Sequence, residues 1–308
     1  KNLIFDATPS GNFTIQNGTL NLQGGLWGVN QNATISSILQ GSANYIKKGN
    51  ANLTLTGNNS YSGLLTISQG GIYVGASNAL GTSSVIMGDA STGTSNTEWR
   101  WAGSTTPSTD IIVSGLGTGT VTIGAYSAGF NTQHSGNIDL GKDVIFFDAS
   151  NDRSSFEGII SGAVTNITIN GNGTYNISIG QGARVTFDNN ANSFTAKILV
   201  LAGKAFQFNA SNAANSNPIE CNGDIVINSS VTTSPVMGTL TGSGRVAIHP
   251  ETTSDATFSL GNDNGSGTFS GTIIDGGGDL SIIKTGTGTQ LLNGTSTYSG
   301  TTTINNGV

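Results

Sequence analysis

Cysteine is nearly absent. Cys221 stands alone in 308 residues, so no internal disulfide can form and a small disulfide-stapled scaffold is excluded. A catalytic thiol would need a partner histidine, and only His134 and His249 exist; Cys221 reads instead as a small buried apolar residue. Charge is scarce as well, at 9% of residues with a net of −6. The lysines and arginines are scattered and no basic run exceeds Lys47-Lys48, which argues against a nucleic-acid partner, because such binding needs a concentrated basic face. No run of about 18 apolar residues occurs, so no transmembrane helix is expected. No basic opening followed by an apolar run is found, so no signal peptide is read, and the chain is expected to be a fragment of a longer one. G-x-S-x-G, H-E-x-x-H, a Walker loop and a cysteine cluster are all missing, and with them the local signatures of several enzyme classes.

What is present is glycine, 46 residues of it, among short alternating runs of threonine, isoleucine, leucine and valine. The stretch from Ile46 to Gly81 sets the pattern. Leu53 and Leu55 fall on one face of a strand and Thr54 and Thr56 on the other. Gly57-Asn58-Asn59 and Ser62-Gly63 are turn chemistry. The unit is strand, turn, strand, turn, strand. It recurs from Ile282 to Gly307, and the interval from Lys47 to Lys284 is the same as that from Tyr61 to Tyr298. At that one offset Ile46, Gly49, Leu55, Gly57, Ser62, Gly63, Thr66, Ile67 and Gly70 all meet identical residues. A decayed third copy lies between. Asn170-Gly171-Asn172-Gly173 precedes the alternating Tyr175, Ile177 and Ile179; Asn192-Ser193-Phe194 stands for Asn59-Ser60-Tyr61; and Ala210-Ser211-Asn212-Ala213 repeats Ala76-Ser77-Asn78-Ala79. Internal repetition of strand units predicts a solenoid. The copies are placed near 33–88, 154–215 and 264–308.

These words resemble the autotransporter-associated β-strand repeat of the passenger domains of bacterial type V secreted surface proteins. The matching words are Lys48-Gly49, Leu53-Thr54-Leu55-Thr56-Gly57, Tyr61-Ser62-Gly63, Thr66-Ile67 with Gly70, and Ala79-Leu80-Gly81. The lead-ins Phe156-Glu157-Gly158-Ile159-Ile160-Ser161-Gly162 and Phe269-Ser270-Gly271-Thr272-Ile273-Ile274 are similar to the family's as well. The resemblance covers roughly half the chain and implies a structural module with no catalytic residue to carry over. It further implies display at the bacterial cell surface after export through the outer membrane, and a β-barrel translocator outside this segment. The scarcity of cysteine suits a chain that threads a narrow pore unfolded.

The expected fold is all-β, a right-handed parallel β-helix running as one continuous solenoid over 1–308. An antiparallel β-sandwich array is the alternative. At roughly 20 residues per coil the chain would make about 15 coils and a rod of order 70 Å. Asparagines at the corners are expected to stack as hydrogen-bonded ladders. Ile198-Leu199-Val200-Leu201 is an uninterrupted run, as expected of a strand covered on both faces. Tyr126 to His134 reads as an excursion, and 88–135 as either a protruding binding loop or a regular coil.

Two stretches offer chemistry. Glu98-Trp99-Arg100-Trp101 sets two tryptophans on one strand face with an ion pair on the other: either a sugar-binding platform or, as favoured, aromatics packed in the interior. Asp139, Asp143, Asp148, Asp152 and Glu157 form the densest acidic segment, but no D-x-D-x-D-G loop orders them for calcium. The reading is therefore a non-enzymatic passenger segment with no catalytic, cofactor-binding or metal-ligating residues. It would act as an adhesin or its stalk, on a host-cell receptor or glycan, or by self-association leading to biofilm. A β-helix polysaccharide lyase or glycosidase, which would need paired carboxylates in a groove, and a phage tailspike-like fibre are the alternatives.

Overall fold

The computed structural model describes residues 2–6, 11–103, 105–127, 132–149, 152–230, 232 and 234–308. Among these there is no helix. Strands of mostly three to five residues stack in parallel, coil upon coil, into a β-solenoid of about 13 turns. Fewer turns than expected follow from longer coils. The steps from Phe13 to Ala33 and from Ala33 to Leu53 keep the expected length, but the step from Ser154 to Val185 is half as long again. At ordinary strand spacing the rod is about 60 Å long.

Three walls build it. The first runs from Leu3–Phe5 through Tyr45–Lys48 and Ile111–Val113 to the start of Ile160–Gly171. The second runs from Phe13–Ile15 through Leu53–Leu55, Gly70–Val74, Thr97–Trp101 and Val121–Ala125 to Leu240–Thr241. The third begins at Thr132–His134 and continues through Arg153–Phe156, Arg184–Phe187 and Ala205–Phe208 to Thr272–Ile274. Thr132–His134 is thus a wall strand rather than part of an excursion, and 88–135 is regular coil wherever it is described; 128–131 lie outside the described residues.

Alternation decides what faces in. Leu53 and Leu55 are fully buried while Thr54 between them is half-buried. Register then stacks like on like: Ala33, Leu53, Ile72, Trp99, Ile123, Phe146, Ile169, Val200 and Cys221 form one inward column. Each large apolar side chain in it contributes about 1.5–3 kcal/mol on leaving water. Where coils lengthen, aromatics fill the wider interior. Phe146 meets Phe156 and Phe187 edge to face with centroids 4.5 and 4.9 Å apart. Residues 198–201 also alternate, with Leu199 half-buried and Leu201 37% exposed, so only one face of that run is covered.

The repeat words are coil-to-coil contacts. Asn59 accepts a hydrogen bond from the Leu39 amide of the coil before (2.8 Å) and donates to the Ala79 carbonyl of the coil after (2.6 Å). Asn192 does the same between Ile160 and Ala213, and Ser296 accepts from the Ile273 amide. Gly63 of Tyr-Ser-Gly lies against the preceding coil, where a Cβ would stand 2.2 Å from the Ala43 carbonyl oxygen. The expected side-chain ladder forms at one corner, where Asn228 donates to Asn209 (3.1 Å) and Asn209 to Asp188 (3.0 Å) of the coil before; other corner asparagines bond the backbone instead. The Oδ1 of Asn32, Asn44, Asn96 and Asn137 each accepts from a backbone amide of the next coil.

One segment leaves the solenoid. Tyr175–Asn176 and Gln181–Gly182 form an antiparallel hairpin inside the long coil between Ser154 and Val185. Tyr175 and Ile177 lie on the outer face of the third wall, over Ala205, Val226 and Ala247. The alternation of Tyr175, Ile177 and Ile179 is therefore not a coil strand of the middle repeat. Ile179 is exposed.

Candidate functional site: the outer face of the second wall

Trp99 and Trp101 are both fully buried in the interior columns, which removes them as a sugar platform. The same strand turns Glu98 and Arg100 outward. Register sets Gly71 beside Glu98 and Tyr73 beside Arg100, and on the other side Thr122 and Gly124. Gly124 leaves a gap in the outer column. The Arg100 guanidinium crosses it to lie 4.1 Å from the Phe147 ring centroid, and donates to the Ala125 carbonyl from Nε and Nη2 at 3.2 and 2.8 Å. Arg100 also stands 3.8 Å from Glu98, whose Oε2 accepts the Tyr73 hydroxyl at 2.8 Å. Burial and the Glu98 carboxylate push the Tyr73 phenol up to about 12, so it stays a donor. Tyr73 stacks on Tyr126 at 4.9 Å, and both are half-buried.

Beside this cluster is a cleft of about 410 Å³, lined by Asn50, Asn52, Gly70, Thr94, Ser95, Asn96 and Glu98. Beneath it Lys47 faces inward, fully buried, where its column neighbours are Trp27 and Ile67. Its ammonium donates to the carbonyls of Gly49, Ala51 and Gln69 at 2.5, 2.5 and 2.7 Å. Burial pushes this ammonium down to about 7, with Glu98 opposing. Three carbonyl acceptors at once favour the three-donor charged form, and we read Lys47 as charged at neutral pH. Lys284 repeats the arrangement with the carbonyls of Thr285, Gly286 and Asn306.

A second cleft, of about 420 Å³, lies on the third wall and is lined in part by Arg153, Arg184, Gln207, Asn228, His249 and Glu251. Arg184 pairs with Asp152 at 3.0 Å there. The acidic segment is spread over successive coils. Asp139 accepts from Ser161, Asp143 from the amides of Thr165 and Asn166, Asp148 from Ser154 and the Arg184 amide, and Glu157 from Gln133. No group of three or more metal-ligating side chains occurs among the described residues. Cys221 is buried, its thiol pushed up to about 12 by burial, with its Sγ on the Gly223 carbonyl at 3.3 Å. His134 is sealed against Trp101 and Phe156, and burial pushes its imidazole down to about 4.

Coils of this kind, with the repeat words consumed in stacking, define a solenoid-building module. The family described as passenger-associated-transport-repeat matches residues 46–74 and 282–308. The chain therefore carries twice a repeat of autotransporter passengers, in agreement with the words read from its sequence. That repeat implies a surface or secreted passenger exported through the outer membrane. No curated protein and no solved structure matches the chain.

Proposed function

We propose that the chain is a non-enzymatic segment of an autotransporter passenger, an adhesin or the stalk of one, that works as a rigid rod with a polar outer wall. The observation that carries this reading is where the repeat residues go. Inward apolar side chains, Lys47, Asn59, Gly63 and their counterparts are all engaged between coils, and the outward positions are mostly threonine, serine, asparagine and charged residues, with isoleucines such as Ile4, Ile46 and Ile112 exposed among them. Such a wall suits many weak polar contacts with a host surface, a glycan or a sister rod, strengthened by multivalency. The glycosidase reading has one observation in its favour. Glu157 and Asp188 sit in adjacent coils, and burial raises the pKa of both, with the Asp188 charge adding to the rise at Glu157. Each already accepts an amide, from Gln133 and Asn209, and the cleft beside them is lined instead by Arg153, Gln207 and Asn228.

The test is adherence of the purified chain to epithelial cells and to itself. Binding to cells, or concentration-dependent dimers in analytical ultracentrifugation, supports the adhesin. A monomer that binds neither leaves only a spacer. Hydrolysis or eliminative cleavage of a polysaccharide panel, lost in Glu157→Gln, would overturn the non-enzymatic reading.

A further inference from the structure

Two buried polar groups on the floor of the third-wall cleft have nothing to bond. Gln207 is 1% exposed; its Nε2 donates to Asn209 Oδ1 at 2.7 Å, and its Oε1 has no partner. Arg184 is 8% exposed. Its Nη1 serves the Asp152 and Gly182 carbonyls at 3.2 and 3.1 Å and the Asp152 carboxylate at 3.0 Å, while its Nε has no partner. Both side chains line the cleft, and register makes them diagonal neighbours on adjacent coils, because Arg184 pairs with Ala205 and Thr186 with Gln207. A buried donor and a buried acceptor left unmatched together are an unmet hydrogen-bonding demand. The groups beside them are already engaged. His249 donates from Nε2 to the Gly180 carbonyl at 3.0 Å and accepts the Glu251 amide on Nδ1 at 3.3 Å, which makes it the neutral tautomer. Asn228 donates to Asn209 and accepts from Ser230.

Charge on this floor is positive. Arg153 pairs with Arg184 across the coil step. Burial lowers the His249 pKa first and Arg184 next, ahead of the opposing Gly180 carbonyl and Glu251, and Arg153 adds to the lowering. Glu251 is exposed at the rim. We propose that this cleft binds a sugar acid, with its carboxylate on Arg184 and Arg153 and a ring hydroxyl donating to Gln207 Oε1. The floor calls for an anionic acceptor and a hydroxyl donor side by side, and a uronic or sialic acid carries both on one ring. A bare carboxylate lacks the donor, and a neutral sugar lacks the charge. The volume of about 420 Å³ is ample for one pyranose ring. This proposal rests on the adhesin reading and names the sugar class it would recognise.

Saturation-transfer-difference NMR titrations of the whole chain test it. The acidic probes are methyl β-glucuronide and the methyl glycoside of N-acetylneuraminic acid; methyl β-glucoside is the neutral probe and acetate the bare carboxylate. At least one acidic sugar is expected to bind in the millimolar range, about tenfold tighter than the glucoside or acetate. Gln207→Leu removes the unmatched acceptor and should weaken it about fivefold. Glu251→Gln keeps the test valid should Gln207→Leu disturb the wall. It removes the rim carboxylate and should tighten the acidic sugar about threefold, a gain that misfolding cannot produce, with the glucoside unchanged. Failure of both acidic sugars to bind, equal binding of the glucoside or acetate, or an affinity that Glu251→Gln leaves unaltered would overturn the proposal. Adherence to cells without acidic-sugar binding would sink the site and leave the adhesin. Acidic-sugar binding by a chain that adheres to nothing would do the reverse.

Discussion

Lys47 and Lys284 place their ammonium groups where a coil turns and its carbonyls converge. Replacing Lys47 by methionine keeps the stem and strands three carbonyls, at a cost of about 2–4 kcal/mol. Urea unfolding of Lys47→Met should show that loss without a change in slope. His134 carries a pH dependence of opposite origin. Its imidazole titrates near 4 in the fold and near 6.5 in the unfolded chain, so the unfolded state takes up the proton first as pH falls. Stability from this group is whole above about pH 6.5 and is lost between there and about 4, by about 3 kcal/mol in all. The difference in unfolding free energy between wild type and His134→Leu should therefore shift by about that amount between pH 7 and pH 4. A constant difference would show that His134 does not titrate in this window.

At the scale of the element, two glycines on one outer wall make opposite predictions. A Cβ on Gly124 would lie 1.8 Å from the Phe147 carbonyl oxygen, so Gly124→Ala must push the next coil away and free Arg100 from Phe147. A loss of more than about 2 kcal/mol is expected in thermal unfolding, where Gly71→Ala should lose little. The hairpin at 175–182 is the other addition to the plain coil. Tyr175→Ala should uncover Ala205, Val226 and Ala247, cost about 3 kcal/mol and raise binding of an apolar dye.

These same elements mark how far the sequence could be read. Asn59 and Asn192 were legible as equivalents because the words around them repeat, and the structure gives them the same two bonds. Trp99 and Trp101 alternate with charged residues, which placed them inside. The hairpin was not legible, since Tyr175, Ile177 and Ile179 alternate as any strand does, and alternation does not say which wall the apolar face will cover. The contact of Asn52, Tyr73 and Glu98 over Gly71 was hidden for another reason. Asn52, Gly71 and Glu98 become neighbours only through one short coil step and then a longer one, and unequal steps break any fixed period.

For the molecule as a whole, stability is summed over interfaces between neighbouring coils, as in any one-dimensional array. The columns run unbroken past the hairpin and the long coil, so extra residues are carried outward and the interior register is kept. The parallel ladders give the rod a mechanical grain. The hydrogen bonds between coils lie along its axis, so a pull on the two chain ends would not shear the walls all at once but would strip them one coil after another. Each short coil, such as that from Phe13 to Ala33, would release about 70 Å of chain, and the long one from Ser154 to Val185 about 105 Å. A force–extension trace would then read out coil lengths in order, and a rod under tension would lengthen by steps well before it let go.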